Sequence, residues 1–337
     1  MMLKQFLCCC ILLVGAISTA FCQRAAGKSS RPVAIIFDTD FGPDYDDVGA
    51  IALLHALADS GQARILATIA SDKYANVGPV LNAFNTYFNR PDLPIGVPKG
   101  QAVDEADWQH WSDSIVARYP HAVKSNAELP DAVSLYRQLL AKQPDNSVTL
   151  VTVGFLTNLA NLLESPADQY SGLAGRELVR KKIKLLVSMA GHFPEGREFN
   201  IHKDAAAAKK TLDSWPTPVI FSGFEIGEKI KTGLPLIQDA RIQNSPVKDV
   251  FRISIPKAKG DKDGRMSWDQ TAVLVAIKGA KPYYDLKPGR IITKPDGSNS
   301  WDASQKGHAY LVEKMPASQV TQIINNLMRH QPKGRKL

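Results

Sequence analysis

Val33-Ala34-Ile35-Ile36-Phe37-Asp38-Thr39-Asp40-Phe41-Gly42-Pro43-Asp44-Tyr45-Asp46-Asp47 runs almost directly into Ala50-Ile51-Ala52-Leu53-Leu54. The first apolar run reads as a buried strand and the second as the start of a helix. Between them, a loop containing Gly42 and Pro43 carries five aspartates within ten residues. Strand, acidic loop and helix in that order place the acids at the carboxyl edge of a parallel sheet, where α/β proteins bind ligands. Carboxylates this close repel one another and resist full ionisation unless a cation neutralises them. A hard divalent ion fits, because Ca²⁺ and Mg²⁺ take oxygen ligands. The competing reading, a solvated loop whose last Asp caps the helix, needs only one acid.

The same alternation continues downstream. Strands are predicted at 33–38, 64–70, 94–97, 148–153, 183–189 and 218–222, and helices at 48–58, 77–88, 132–140, 156–163, 205–212 and 270–277. This pattern predicts an α/β fold, a single domain with a mostly parallel central sheet flanked by helices. No linker-like stretch, repeat or low-complexity block divides the chain, so residues 23–337 read as one domain with a core over about 33–330. The polar stretch 101–130, with Trp108-Gln109-His110-Trp111, reads as a lid, insertion or binding loop. Near the end, Arg290-Ile291-Ile292-Thr293 and His308-Ala309-Tyr310-Leu311-Val312 read as a C-terminal hairpin joined through a turn at Lys294-Pro295-Asp296-Gly297-Ser298-Asn299. A terminal helix is expected from Pro316 to His330.

The first 22 residues read as a signal peptide. Lys4 supplies a positive start, Phe6 to Ile17 an apolar stretch, and Ser18-Thr19-Ala20-Phe21-Cys22 the small residues of a cleavage site after Cys22. The apolar stretch is short of the roughly 20 residues that span a bilayer, so no stable membrane anchor is expected. Phe21 is bulky for lipidation at Cys22. The expectation is an exported protein, periplasmic or extracellular. All four cysteines, Cys8, Cys9, Cys10 and Cys22, lie in this leader, which excludes disulfides, thiolate metal sites and a cysteine nucleophile from the processed chain. The net charge of +8 is spread over separate basic segments without interleaved aromatics, which argues against a nucleic-acid partner.

Three further segments carry polar chemistry. After the strand at 183–189, Ala190-Gly191-His192-Phe193-Pro194-Glu195-Gly196-Arg197 leads into Glu198-Phe199-Asn200. Read as extended chain, Glu198 and Asn200 share one side, and a carboxylate beside an amide can bind vicinal hydroxyls; alternatively both satisfy nearby backbone groups. Asp269, in Ser267-Trp268-Asp269-Gln270, is placed either to cap the helix that follows or to ligate a metal. Val151-Thr152-Val153-Gly154-Phe155-Leu156-Thr157-Asn158-Leu159-Ala160 reads as strand, Gly turn and helix start.

In order and spacing, Asp38-Thr39-Asp40-Phe41-Gly42 with Asp46-Asp47, Gly154-Phe155-Leu156-Thr157-Asn158, Glu198-Phe199-Asn200 and Trp268-Asp269 resemble the inosine–uridine preferring nucleoside hydrolase family over about residues 33–278. The resemblance implies a Ca²⁺-dependent hydrolase that cleaves a small-molecule ribonucleoside into ribose and free base. It implies Asp40, Asp47, Asp269 and the main-chain carbonyl of Val153 as calcium ligands, with Asp40 taking a proton from the attacking water. It further implies that Asp46, Glu198 and Asn200 hold ribose hydroxyls and that Asp38 supports the site. Self-association into a homo-oligomer is an expectation from the resemblance alone.

Two departures stand out. Pro43-Asp44-Tyr45 lengthens the first loop by two residues, as in an exported bacterial-type branch, and brings Asp44 within reach of the metal or ribose. Trp268 stands where many members have the histidine that protonates the departing base. Such acid catalysis is typically worth about 10²–10⁴-fold, and tryptophan cannot supply it. His192, His202 or His308 could protonate the leaving group instead, or Trp268 could stack on a planar base. Two other functions are compatible with the residues: a non-catalytic exported nucleoside- or sugar-binding protein, and a Mg²⁺-dependent phosphatase opening on Asp-x-Asp, against which Gly42 and the Asp46-Asp47 pair argue.

Overall fold

The apolar run that opens the domain forms a strand, Val33–Thr39, buried from Ala34 onward. Ile35 and Phe37 pack into one hydrophobic cluster and Ala34 and Ile36 into another, as alternation along a strand requires. A strand apolar on both faces needs cover on both, so it takes the middle of a sheet with helices on either side. The computed structural model describes residues 31–334, and those from Pro32 onward belong to one compact unit. The expected leader, residues 1–22, lies outside the described residues. Among the described residues, no helix is long and apolar enough to cross a membrane.

In chain order the strands are β1 (Val33–Thr39), β2 (Ala63–Ala70), β3 (Ile95–Gly96), β4 (Val148–Thr152), β5 (Ile183–Met189), β6 (Glu195–Arg197), β7 (Val219–Ser222), β8 (Lys231–Thr232), β9 (Arg265–Met266), β10 (Tyr284–Thr293), β11 (Ser298–Asp302) and β12 (His308–Glu313). Ten of them form one sheet in the order β3-β2-β1-β4-β5-β7-β12-β10-β11-β6. From β3 to β12 neighbours run parallel, and β10, β11 and β6 add antiparallel pairs. The chain steps outward from β1 through β2 to β3, then returns to the other side of β1 with β4. That reversal opens a crevice at the carboxyl ends of β1 and β4. The two ends are tied there, with Val153 N donating to the Asp38 carbonyl at 2.8 Å.

Helices Asp46–Asp59, Val77–Tyr87, Trp268–Lys278 and Ala317–Met328 supply one core. Helices Ala132–Lys142, Thr157–Glu164, Gly175–Lys182 and Ala205–Ser214 supply the other. Asp46–Asp59 is buried from Asp46 to Leu57 because Trp268–Lys278 and Ala317–Met328 pack over it, which explains its apolar character all round.

Two expectations gain detail. The C-terminal hairpin is a three-stranded arrangement: β10 is long enough for Tyr284–Gly289 to pair with β12 and Arg290–Thr293 with β11, and β12 also lies parallel beside β7. The residues assigned to the turn include the start of β11, whose polar Ser298-Asn299-Ser300 lacks an apolar alternation. The stretch 101–130 is not loop throughout. It contains the helix Trp111–Arg118, and Trp111 is fully buried edge-on to Phe41 at 5.8 Å.

Gly154 shows how tightly the crevice closes. A Cβ there would lie 2.4 Å from the backbone nitrogen of Asp40 and 2.4 Å from Ser71 Oγ, and Ser71 Oγ itself accepts the Phe155 N–H at 3.0 Å. Gly154→Ala should therefore destabilise the protein by about 1–3 kcal/mol, the usual cost of overpacking. Urea unfolding would show it as a lower midpoint at unchanged slope; an unchanged midpoint would contradict the close approach.

Candidate active site

The acidic loop is shaped by its own backbone. Phe41 has a φ of +29° and is buried against Phe84 and Trp111, a conformation that residues with a side chain rarely adopt. The chain thereby turns back so that Asp47 accepts from Thr39 Oγ1 and, at 3.4 Å, from Phe41 N. Tyr45 occupies the cap position of Asp46–Asp59 and makes no side-chain capping bond. Asp46 and Asp47 therefore stand in the first turn of their helix with other work to do.

Asp46 caps a different helix. Its Oδ2 accepts from the backbone N–H groups of Trp268 (3.0 Å) and Asp269 (3.2 Å), at the start of Trp268–Lys278. This corrects the capping alternative for Asp269, whose own N–H is the one being capped. It also delivers Asp269 to the loop. Asp46, Asp47 and Asp269, all buried, offer carboxylate oxygens within 4.8 Å of one another. Asp40, 4% exposed, lines the same cavity.

Glu198 and Asn200 reach the cavity by a different route from the one expected. Glu198 is itself extended but caps the short helix Phe199–Lys203, and Asn200 lies within that helix, so the two do not share one side of an extended segment. Its carboxylate accepts from Gly191 N (3.0 Å), Asn200 N (2.7 Å) and Ile201 N (3.3 Å). Asn200 Nδ2 donates to the carbonyls of Val153 (2.9 Å) and Met189 (3.0 Å). Both residues satisfy backbone groups and still line the cavity.

The cavity has a volume of about 410 Å³. Asp40, Asp44, Asp46, Asp47, Val153, Glu198, Asn200, Trp268 and Asp269 all line it, which is every residue expected to hold the metal, ribose or base except Asp38. Asp38 lies apart, fully buried, accepting from Tyr136 Oη (2.8 Å) and Asn158 Nδ2 (3.0 Å). Asp44 is ion-paired with Arg265. Trp268 donates its indole N–H to the Phe224 carbonyl at 2.8 Å and packs on the Phe224 ring at 5.0 Å. None of His192, His202 and His308 lines the cavity: His192 packs behind Phe224 at 5.5 Å, and His308 is buried edge-on to Phe221.

Burial sets the electrostatics. It pushes Asp40, Asp46 and Asp269 well above the usual carboxylate range, and neighbouring carboxylates push them in the same direction. Asp47 is also raised by burial. Asp38 and Glu198 rise to about 7 because burial outweighs the hydrogen bonds that favour their ionised forms. The donors are all oxygen and clustered, and their ionised forms lack matching positive charge. Such a set fits a hard divalent cation.

Several cavity residues were not legible as site residues. Arg265 is the chief one, followed by Phe224 and Glu105, which is ion-paired with Lys203, whereas the exposed Trp108 lies in the stretch read as a lid, insertion or binding loop. Arg265 follows Lys262-Asp263-Gly264, a charged run that reads as solvated surface. Its only sequence signal is its position three residues before Trp268.

Comparison with known proteins bears on what this cavity does. The chain is 30% identical over 239 residues to the pyrimidine-specific ribonucleoside hydrolase RihA of Shewanella sp. (strain ANA-3), covering 68% of this chain and 67% of that one. Among solved structures, the plant nucleoside hydrolase PpNRh1 superposes with a TM-score of 0.68 at 18% identity, covering 88% of this chain and 99% of that one. An inosine-guanosine nucleoside hydrolase gives a TM-score of 0.67 at 20% identity with the same coverages. These structural likenesses show the shared fold. The profile of the inosine-uridine preferring nucleoside hydrolases matches residues 35–318, and by that match the chain belongs to this family of enzymes, which hydrolyse the N-glycosidic bond of ribonucleosides.

Proposed function

We propose that the cavity holds a ribonucleoside against a calcium ion, with Asp40 taking the proton of the attacking water. The observation that carries this reading is the convergence of Asp40, Asp46, Asp47 and Asp269 from two distant segments into one buried cavity. Asp40, Asp47, Asp269 and the Val153 carbonyl are the proposed cation ligands. Asp46 belongs to the closest carboxylate group, yet its oxygens already meet two backbone N–H groups and Arg265. That occupancy favours a ribose-holding and structural role over direct ligation. Glu198 and Asn200 are fixed by backbone partners at the cavity wall, as residues that orient ribose hydroxyls must be.

A bound calcium ion would supply charge that orients and acidifies water and binds the ribose diol. Asp40 then removes a proton as the water oxygen attacks the anomeric carbon. The surrounding carboxylates favour the positive charge that develops on the sugar. Asp38, within β1, accepts from Tyr136 and Asn158 and so ties the end of that strand to the helices Ala132–Lys142 and Thr157–Glu164.

Asp40→Ala should abolish both calcium binding, measured by calorimetry, and release of ribose from uridine and inosine. Calcium affinity retained at the wild-type level would sink the assignment of Asp40 as a ligand. Treatment of the wild-type enzyme with a chelator should remove activity, and added Ca²⁺ should restore it.

The proposed ribose holder Glu198 also predicts a pH dependence of stability. Its pKa is raised from 4.5 to about 7 in the folded chain, so folding favours its protonated form. That contribution is fully present below about pH 4.5 and is lost as the pH rises through 7. Metal-free protein should accordingly melt at a lower temperature at pH 8 than at pH 5.5, and Glu198→Gln should flatten this difference. Equal slopes in the two proteins would contradict the shift.

A further inference from the structure

We propose that Arg265 stabilises the negative charge of the departing base, doing by hydrogen bonding and charge what a protonated side chain would do by proton transfer. This rests on the ribonucleoside reading above. Among the described residues, Arg265 is the one basic side chain that lines the cavity, and no histidine, lysine or tyrosine lines it. The other candidates for assisting the base are committed elsewhere. The Trp268 indole N–H is bonded to the Phe224 carbonyl. Asp44 and Glu105 are ion-paired with Arg265 and Lys203. Glu198 accepts three backbone N–H groups.

The placement of Arg265 suits the task. Its guanidinium lies 4.9 Å from the Trp268 ring centroid and 5.1 Å from that of Tyr45, with a side chain 11% exposed. A cation beside a planar indole can meet both the face and the polar edge of a nucleobase. The neighbouring acids fix the group without using all its donors. Nη2 meets Asp44 and, at 3.4 Å, Asp46; Nη1 meets Asp261 at 3.5 Å. The two longer contacts are weak by hydrogen-bond standards, and Nε is buried without a partner. Of the five N–H groups of a guanidinium, three meet these acids, and the second N–H of Nη1 is left for a ligand.

The step balances without a proton from Arg265. Water oxygen bonds to the anomeric carbon and gives one proton to Asp40, while the C–N bond breaks and its electron pair moves onto the base nitrogen. The base leaves as an anion held by the guanidinium, then takes a proton from solvent, and Asp40 releases its own to solvent. Loss of one such preorganised donor typically costs about 10²–10³-fold in kcat.

The test compares leaving groups. Wild type, Arg265→Gln and Arg265→Lys are assayed with uridine and inosine, whose bases are poor leaving groups, and with p-nitrophenyl riboside, whose leaving group needs no assistance. Calcium affinity of each protein is measured by calorimetry. Arg265→Gln should lose about 10²–10³-fold in kcat on the nucleosides and far less on the nitrophenyl riboside. Arg265→Lys, which keeps the charge near Asp44 and Asp46, should show a smaller loss with the same selectivity, and it carries the test if the glutamine variant does not fold. Equal losses on both substrate types in either folded variant would overturn the proposal and make Arg265 a positioning residue for Asp44 and Asp46. A wild-type protein that binds calcium but cleaves neither substrate type would overturn the ribonucleoside reading itself, and the proposal with it.

Discussion

Two backbone N–H groups, those of Trp268 and Asp269, share one oxygen of Asp46 across more than 220 residues of sequence. The rest of the site depends on that contact. It satisfies donors that the start of a helix would otherwise leave open, and it fixes the first turn of Trp268–Lys278 against the first turn of Asp46–Asp59. With the two turns locked, Asp269 cannot avoid Asp47, and the acids accumulate. The contact also explains why neither helix carries a side-chain cap of its own. The Asp46 carboxylate completes the end of Trp268–Lys278, while the end of Asp46–Asp59 is built around the acidic cluster.

The accumulation opposes stability. Buried carboxylates cost several kcal/mol each unless paired, and here neighbouring carboxylates further raise the proton affinity of Asp40, Asp46 and Asp269. Within the cavity only Arg265 offers a compensating charge, and it faces Asp44 and Asp46 rather than Asp40 or Asp47. The fold supports the strain by placing the acids at the ends of rigid elements: β1, the two helix starts, and the Gly154 turn that closes against Asp40. Departures from good local energetics tend to concentrate where function needs them.

Much of this was legible in the sequence because it follows local rules. The parallel strands announce themselves as short apolar runs, and acids directly behind such a run must lie at its carboxyl end. Other features depend on partners distant in sequence. Glu198 and Asn200 were assigned to the right cavity but the wrong backbone, since Glu198 looks the same as a ligand holder and as a cap, and it lies at a helix start. β11 was missed because its polar residues are paired with the far half of β10, where periodicity gives no hint. Arg265 was invisible because a charged run after Gly264 normally faces water. Only the return of Asp44 and Asp46 to its guanidinium turns it inward.

The cavity therefore has two halves built to different standards. The acidic half, proposed to face the cation and sugar, is assembled from strand ends and first helical turns, and its members are held through backbone hydrogen bonds. The other half, proposed to face the base, contains Trp108 on an exposed loop, Phe199, Phe224, Trp268 and Arg265, several of them joined by ring packing and cation contacts. Backbone-anchored carboxylates tolerate little change, because each loss leaves a buried charge or donor unpaired. Ring and guanidinium contacts are broader in geometry and can be exchanged one at a time. A fold with this division can keep one way of activating water and holding ribose while altering how the base is released, and Arg265 beside Trp268, in the role proposed for it, is an instance of such an alteration.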